Sequence, residues 1–313
     1  MNCLLCGSDT EAYVHVPDRG PLRKCLSCDF LFSHPVEGEY DPIRVFNLAY
    51  AGLEHAAGLH DYYFKMTMRE DEAVARVHPS RVLNSAHREA IAVIRREFPE
   101  GCTVFDIGCG TGHFMATMRE LQYTAFGLDV ADSVVQLLRG EEFPMWHGTI
   151  DSVPAEWVDP QVCTSFLMLH HLIDSVGFIR SVRHKYPRAL FIVAAHNDLN
   201  GKRVRLRSEQ SMPPRSYCFW GRAQLQLAME RGGYRPVVWP VKAQPREGGL
   251  AMAMPLYATL RRWTPAVARR LLAFYYNTLP VWGWPGALRM RWRGFNKFVL
   301  AVGYPPPGPD ISA

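Results

Sequence analysis

From residue 103 onward, short apolar runs alternate with segments whose apolar positions recur at helical spacing. The stretches 103–107, 124–129, 143–148, 162–169, 188–195, 232–239 and 297–302 read as strands. The stretches 114–121, 133–139, 176–186 and 222–231 read as helices with one apolar face. Strand and helix take turns, which predicts an α/β fold. Upstream, 65–77 and 81–98 read as helices separated by Pro79, and Pro99-Glu-Gly101 ends the second. Residues 35–42 read as a linker, and 50–63 as irregular chain or short helix.

The first of these strands runs into a glycine-rich turn, Asp106-Ile-Gly-Cys-Gly-Thr-Gly112. Glycine tolerates positive φ and lets a ligand approach the backbone. The helix that follows offers unpaired N–H groups at its start. No Gly-Lys-Ser/Thr follows, so the turn is not a phosphate-gripping P-loop. Gly108, Gly110 and Gly112 are spaced G-x-G-x-G, not the G-x-G-x-x-G of a dinucleotide fingerprint. Asp106 would repel a pyrophosphate but suits an ammonium group. The next strand ends in Asp129, and a carboxylate at that tip can accept both hydroxyls of a ribose.

The run D-x-G-x-G-x-G followed by an acid-tipped strand resembles motif I and its successor in the class I S-adenosylmethionine (SAM) methyltransferases. That resemblance covers roughly 1–35, 85–242 and the last strand. It implies a Rossmann-like, mostly parallel seven-stranded sheet with an antiparallel last strand, plus a small N-terminal zinc module. It also implies SAM as cofactor, held by Asp106, Gly108, Gly110, Gly112 and Asp129. Gly148-Thr-Ile-Asp-Ser-Val-Pro154 resembles the family's adenine-contacting segment, with Thr149 in place of the usual acid, and assigns that contact to Thr149 or the backbone of Ile150. His170-His-Leu-Ile-Asp174 resembles the family's Glu-His-x-x-Asp after strand four, with His170 replacing the glutamate. His171, or His170, is then the candidate base for a hydroxyl nucleophile, because imidazole titrates near working pH. The competing reading is a packed histidine at the start of the following helix. Relatives that hold a divalent metal use carboxylates where this chain has Leu167 and His170, so metal assistance is not expected.

Eight cysteines change the picture at the N-terminus. Cys3-x2-Cys6 and Cys25-x2-Cys28 carry the spacing of a four-sulfur zinc site. Four sulfurs leave no open position for substrate, so the zinc is expected to be structural. A module of about 35 residues has too little core to fold without such a centre. The other four, Cys102, Cys109, Cys163 and Cys218, lack pair spacing.

Charge divides the chain. Residues 1–200 hold 17 Lys and Arg against 26 Asp and Glu, whereas 201–313 hold 18 against 4. The last third is thus the expected contact for an anionic partner. Within it, 243–294 concentrates Trp282, Trp284 and Trp292 with Arg289, Arg291 and Arg293, after two expected helices at 257–263 and 266–276. Cations beside aromatics suit a membrane interface, an anionic and partly apolar ligand, or phosphate with stacked bases, as well as ordinary packing with a basic rim. The apolar stretch near 271–284 is interrupted by Asn277, Thr278 and Pro280 and is too short to span a bilayer. The start of the chain is already a cysteine motif, so no secretory leader is expected.

The organisation expected is 1–35 zinc module, 36–100 linker and helical cover, 101–242 SAM-binding core, 243–294 basic insert, and 295–313 last strand with a proline-rich tail. The expected activity is methyl transfer to a small molecule (a lipid, sugar or secondary metabolite), with O-methylation favoured and a lipid-like or anionic acceptor in view. The insert would supply peripheral membrane contact, and the location expected is cytoplasmic, including the inner membrane surface. The alternatives are an RNA methyltransferase and a non-catalytic SAM-binding protein.

Overall fold

The computed structural model describes residues 1–16, 20–33, 83–132, 134–135, 143–199, 216–242, 267 and 296–307. The expected elements at 35–82, most of the helix at 133–139, residues 200–215 and almost all of the 243–294 insert lie outside the described residues. No helix among the described residues is long and apolar enough to cross a membrane.

The N-terminal strands are β1 (Thr10–Val16), β2 (Gly20–Cys25) and β3 (Leu31–Ser33). Helix α1 (Ser85–Glu97) opens the central domain. Asn84 caps it by accepting the His87 N–H at 3.0 Å, while His87 Nδ1 accepts the Asn84 N–H at 3.2 Å. This is a capping box with a histidine in the position usually held by glutamate. The elements that follow are β4 (Thr103–Ile107), α2 (His113–Glu120), β5 (Thr124–Asp129), β6 (Met145–His147), β7 (Val162–Phe166), α3 (Ser175–Lys185) and β8 (Leu190–His196). The last are β9 (Cys218–Phe219), α4 (Arg222–Arg231), β10 (Arg235–Lys242) and β11 (Asn296–Tyr304).

Seven strands form one sheet in the order β10-β11-β8-β7-β4-β5-β6. Only β11 runs against the rest, pairing antiparallel with both β10 and β8. The Rossmann-like α/β architecture with an antiparallel last strand is therefore present as expected. Both faces are covered, which is why its strands read as continuous apolar runs rather than as alternation. In β8, Phe191, Val193 and Ala195 pack on one side with α3, α4 and the N-terminal module, through residues such as Ile179, Leu225, Phe30 and Phe32. Leu190, Ile192 and Ala194 pack on the other with α1 and α2, through residues such as Ala90, Ile94, Phe114 and Met118.

Most boundaries move by a few residues, and two differences from the sequence reading bear on the site. The fourth strand of the core stops at Phe166 rather than 169, because Leu167 takes φ +55°, a left-handed conformation that a strand cannot continue through. The stretch 217–220, read as part of the late core, instead supplies β9 to a second sheet, β1-β2-β3-β9. The N-terminal module is thus stitched into the core by a strand that the core donates.

Candidate active site and metal centre

Strand order reverses between β4 and β7, and in open α/β sheets ligands bind at such a switch point, beyond the carboxyl ends of the strands. One wall is the glycine turn. Gly108, Gly110 and Gly112 take φ of +76°, +51° and +70°, which only glycine adopts without a Cβ penalty. Gly112 is also the N-cap of α2. The turn is bonded to the end of β5: Leu128 C=O accepts the Gly108 N–H at 2.8 Å and the Cys109 N–H at 3.1 Å. Asp129 completes the tie, its Oδ2 accepting the Gly110 N–H and its Oδ1 the Ala131 N–H, both at 3.0 Å. Each oxygen keeps a lone pair for a further donor.

Asp106 lies one strand over, on β4, and is almost fully buried. Its Oδ1 accepts the Thr164 hydroxyl at 2.7 Å, a pairing set by the register of β4 on β7. Burial pushes its carboxyl up to about 7, against the Thr164 hydrogen bond and helped by the nearby charge of Asp129. Asp129 is raised as well, again chiefly by burial, with the backbone N–H bonds opposing. Neither acid forms an ion pair among the described residues. Among the described residues, two buried carboxylates beside a glycine turn thus stand without a cationic partner, which fits a cationic ligand. SAM, with its ammonium and sulfonium groups, has that chemistry. Thr164 was not singled out from sequence. Its signal was a pair of hydroxyls, Thr164 and Ser165, inside an otherwise apolar central strand; Ser165 donates to Ile107 C=O at 3.0 Å.

The adenine-side candidates sit past β6. Thr149 is exposed and caps a 3-10 turn, Ile150–Ser152, while the Ile150 side chain is buried. Ser152 Oγ ties this turn together, donating to Thr149 C=O at 2.8 Å.

The opposite wall is the chain after β7. Met168 leans onto the glycine turn, and a Cβ on Gly108 would stand 2.8 Å from its Sδ. Next comes the 3-10 turn Leu169–His171. His170 and His171 are buried, 7% and 5% exposed, with ring centroids 3.9 Å apart. His196, the last residue of β8, brings a third imidazole to 5.3 Å from His170. Asp174 caps α3, accepting the Gly177 N–H at 2.7 Å. The sequence also gave no notice of an aromatic cluster here. His87 of α1 lies 4.4 Å from Phe166 and 5.8 Å from Phe114, which are themselves 4.6 Å apart.

The four N-terminal cysteines do converge. Their sulfurs all lie within 4.8 Å of one another, with Cys3–Cys28 at 3.7 Å and Cys6–Cys25 at 3.3 Å. A tetrahedron with Zn–S near 2.3 Å has edges of about 3.8 Å, so the set fits zinc. Cys3 Sγ accepts N–H groups from Leu5 and Cys6, and Cys25 Sγ from Ser27 and Cys28, at 3.3–3.4 Å. Such donors stabilise thiolate sulfur. Burial pushes the Cys3 thiol up to about 11, so a thiolate there calls for a cation. The two knuckles share one backbone device: the residue after each pair is left-handed, Gly7 at φ +79° and Asp29 at +57°.

A family model described as a methyltransferase domain matches residues 82–238. No protein of curated function matches the sequence. Similar solved structures include the Synechocystis PCC 6803 magnesium protoporphyrin IX methyltransferase with bound SAH, at 11% identity and TM-score 0.45, over 64% of this chain and 92% of that one. Burkholderia thailandensis 1,6-didemethyltoxoflavin-N1-methyltransferase is similar at 14% identity and TM-score 0.44, over 74% and 92%. A SAM-dependent methyltransferase from Mesorhizobium loti is similar at 16% and 0.43, over 68% and 96%. At this distance each is a similar structure and no more. The family match covers half of the chain and coincides with the glycine turn, the acid-tipped β5 and the switch point between β4 and β7, and on it the chain belongs to the methyltransferase-domain family as a class I SAM-dependent methyltransferase.

Proposed function

We propose that this protein methylates a hydroxyl of a small-molecule acceptor, bound beyond β7 and β8 and facing the glycine turn across the crevice. What supports this reading is the pairing of two buried acids at the carboxyl ends of β4 and β5 with a buried histidine pair in the turn that follows β7, the strand beside β4. Bound SAM supplies an electrophilic methyl on a sulfonium. Asp106 and Asp129 offset its positive charge, and Asp129 has lone pairs left for ribose hydroxyls. The backbone at Ile150, with Thr149, meets the adenine edge. The faces of Phe114 and Phe166 suit a neighbouring cation. His171, with His170 packed on it, takes the proton of the acceptor hydroxyl, and the two walls hold nucleophile and methyl in line. Zinc in the four-cysteine site is structural.

The test is transfer of tritiated methyl from SAM into fractionated extract. Label in a small-molecule fraction supports the reading, whereas label in RNA moves the acceptor to nucleic acid. Calorimetry that detects no SAM binding removes the assignment altogether. His171→Ala should slow transfer about 100-fold, the scale of general-base catalysis, with SAM affinity unchanged. An unaltered rate would take the base role away from His171.

A further inference from the structure

The metal module and the histidine turn share a residue. Tyr217, 2% exposed, donates its N–H to His170 C=O at 2.8 Å. Its own C=O accepts the N–H of Ser33, the last residue of β3, also at 2.8 Å. Cys218, which follows, pairs with Phe32 and donates its Sγ–H to Leu172 C=O at 3.3 Å. Trp220 C=O accepts the N–H groups of Asp198 and Leu199, in the loop that leaves β8, at 2.8 and 2.9 Å. Its ring lies 5.0 Å from Phe30 of the module. Finally, Gln224 Nε2 donates to the carbonyl of Cys28, a metal-site residue, at 2.7 Å.

None of the parts in this joint stands by itself. The 3-10 turn 169–171 is three residues long and is entered through left-handed Leu167. Such a turn has few bonds of its own. β9 has two residues, far below what an isolated strand needs. β3 has three, and it belongs to a module that depends on its metal for stability. Each part therefore leans on the next along one line: metal, knuckles, β2 and β3, then β9, then the histidine turn, which Ser175 also ties to α3 through Leu169 C=O at 3.0 Å. The cofactor wall is different, because its turn is bonded to β5 inside the large sheet.

We propose that the zinc module is a brace for one wall of the crevice, and that Tyr217 is the positioning residue through which it holds the His170-His171 turn. Metal occupancy then sets the acceptor wall and leaves the SAM wall in place. This rests on the proposed placement of the acceptor beside that turn.

Hydrogen exchange on the full chain tests it, comparing zinc-loaded protein with protein stripped by a chelator. Loss of a hydrogen-bond tie of ordinary strength should speed exchange about tenfold at the amides of 169–172 and 216–219. The amides of 104–108 and 125–131 should change less than twofold, as should the SAM dissociation constant. With acceptor in the assay, kcat should fall while KM for SAM holds. Unchanged exchange at 169–172, or equal loss on both walls, overturns the brace. If stripping unfolds the whole chain, Gln224→Leu decides. That variant keeps all four cysteines, so zinc content should stay the same while 216–219 and 169–172 exchange faster; no change there overturns the proposal. Faster exchange with an unaltered transfer rate would leave the brace standing and remove the acceptor from that wall.

Discussion

The part of the cofactor wall that carries the glycine turn and both acids is one contiguous stretch, 103–131, whereas the opposite wall gathers four: 31–33, 166–175, 196–199 and 216–220. The first is tied by short-range geometry. Three left-handed glycines, two N–H bonds to Leu128 C=O and the Asp129 clamp join the turn of β4 to the tip of β5. The second is held by packing and by single bonds between segments far apart in sequence, such as Ser33 to Tyr217 and Gln224 to Cys28. A wall of the first kind survives damage elsewhere in the molecule. A wall of the second kind inherits the stability of everything it is tied to.

Five substitutions sharpen the contrast, four across the walls and their metal module and one, at Asp106, through pH. The largest effect belongs to the joint. Trp220 is fully buried between module and core, and Trp220→Ala should cost about 3–5 kcal/mol of stability in denaturant unfolding. A loss below about 1 kcal/mol would mean that the module is not packed as described. On the other wall, Asp129→Ala removes both the clamp and the proposed ribose contact. Calorimetry should show SAM affinity down by at least about tenfold, the scale of a lost charge-assisted hydrogen bond, with zinc content intact. Unchanged affinity would take the ribose away from this residue.

Asp106 gives a pH signature. Its folded-state carboxyl is raised from 3.8 to about 7, so between those values the folded protein binds more protons than the unfolded chain. Its contribution to stability is full below the lower value and is lost as pH rises through about 7. A cationic ligand selects the ionised form, so SAM binding should tighten by about tenfold from pH 6 to pH 8. Asp106→Asn should flatten both slopes, and a slope that persists belongs to another group. The smallest effect compares the knuckles. Gly7→Ala should lower the melting temperature by the equivalent of about 1 kcal/mol, because Gly7 sits at φ +79°. Asp29→Gly should be neutral or stabilising, since it relieves φ +57° and gives up only the exposed Lys24 pair. A clear loss of stability in Asp29→Gly would mean that Asp29 does more than occupy a left-handed turn.

The legible parts of the site were those where chemistry and spacing sit close together in the chain. Within the D-x-G-x-G-x-G turn and within each C-x2-C knuckle the residues stand a few positions apart, and Asp129 and the second knuckle follow at one regular interval each, so the sequence shows the geometry directly. His170 and His171 were found only through their place after the fourth core strand, and their burial was not visible. Thr164 went unnoticed because its partner, Asp106, is 58 residues away and is reached through strand register. His87 was read only as helix. Its contacts with Phe114 and Phe166 depend on how α1 lies across the sheet.

By itself, the sequence determined a SAM-type turn, an α/β alternation and a set of four cysteines fit for zinc, because each is fixed by local backbone conformation or by the length of a buried strand. Tertiary structure alone decided that the cysteine module is joined to the crevice. The joint is a two-residue strand, Cys218–Phe219, too short to carry any periodic signal. It forms because β3 presents an unpaired edge to it, and Trp220 next to it buries its ring against Phe30.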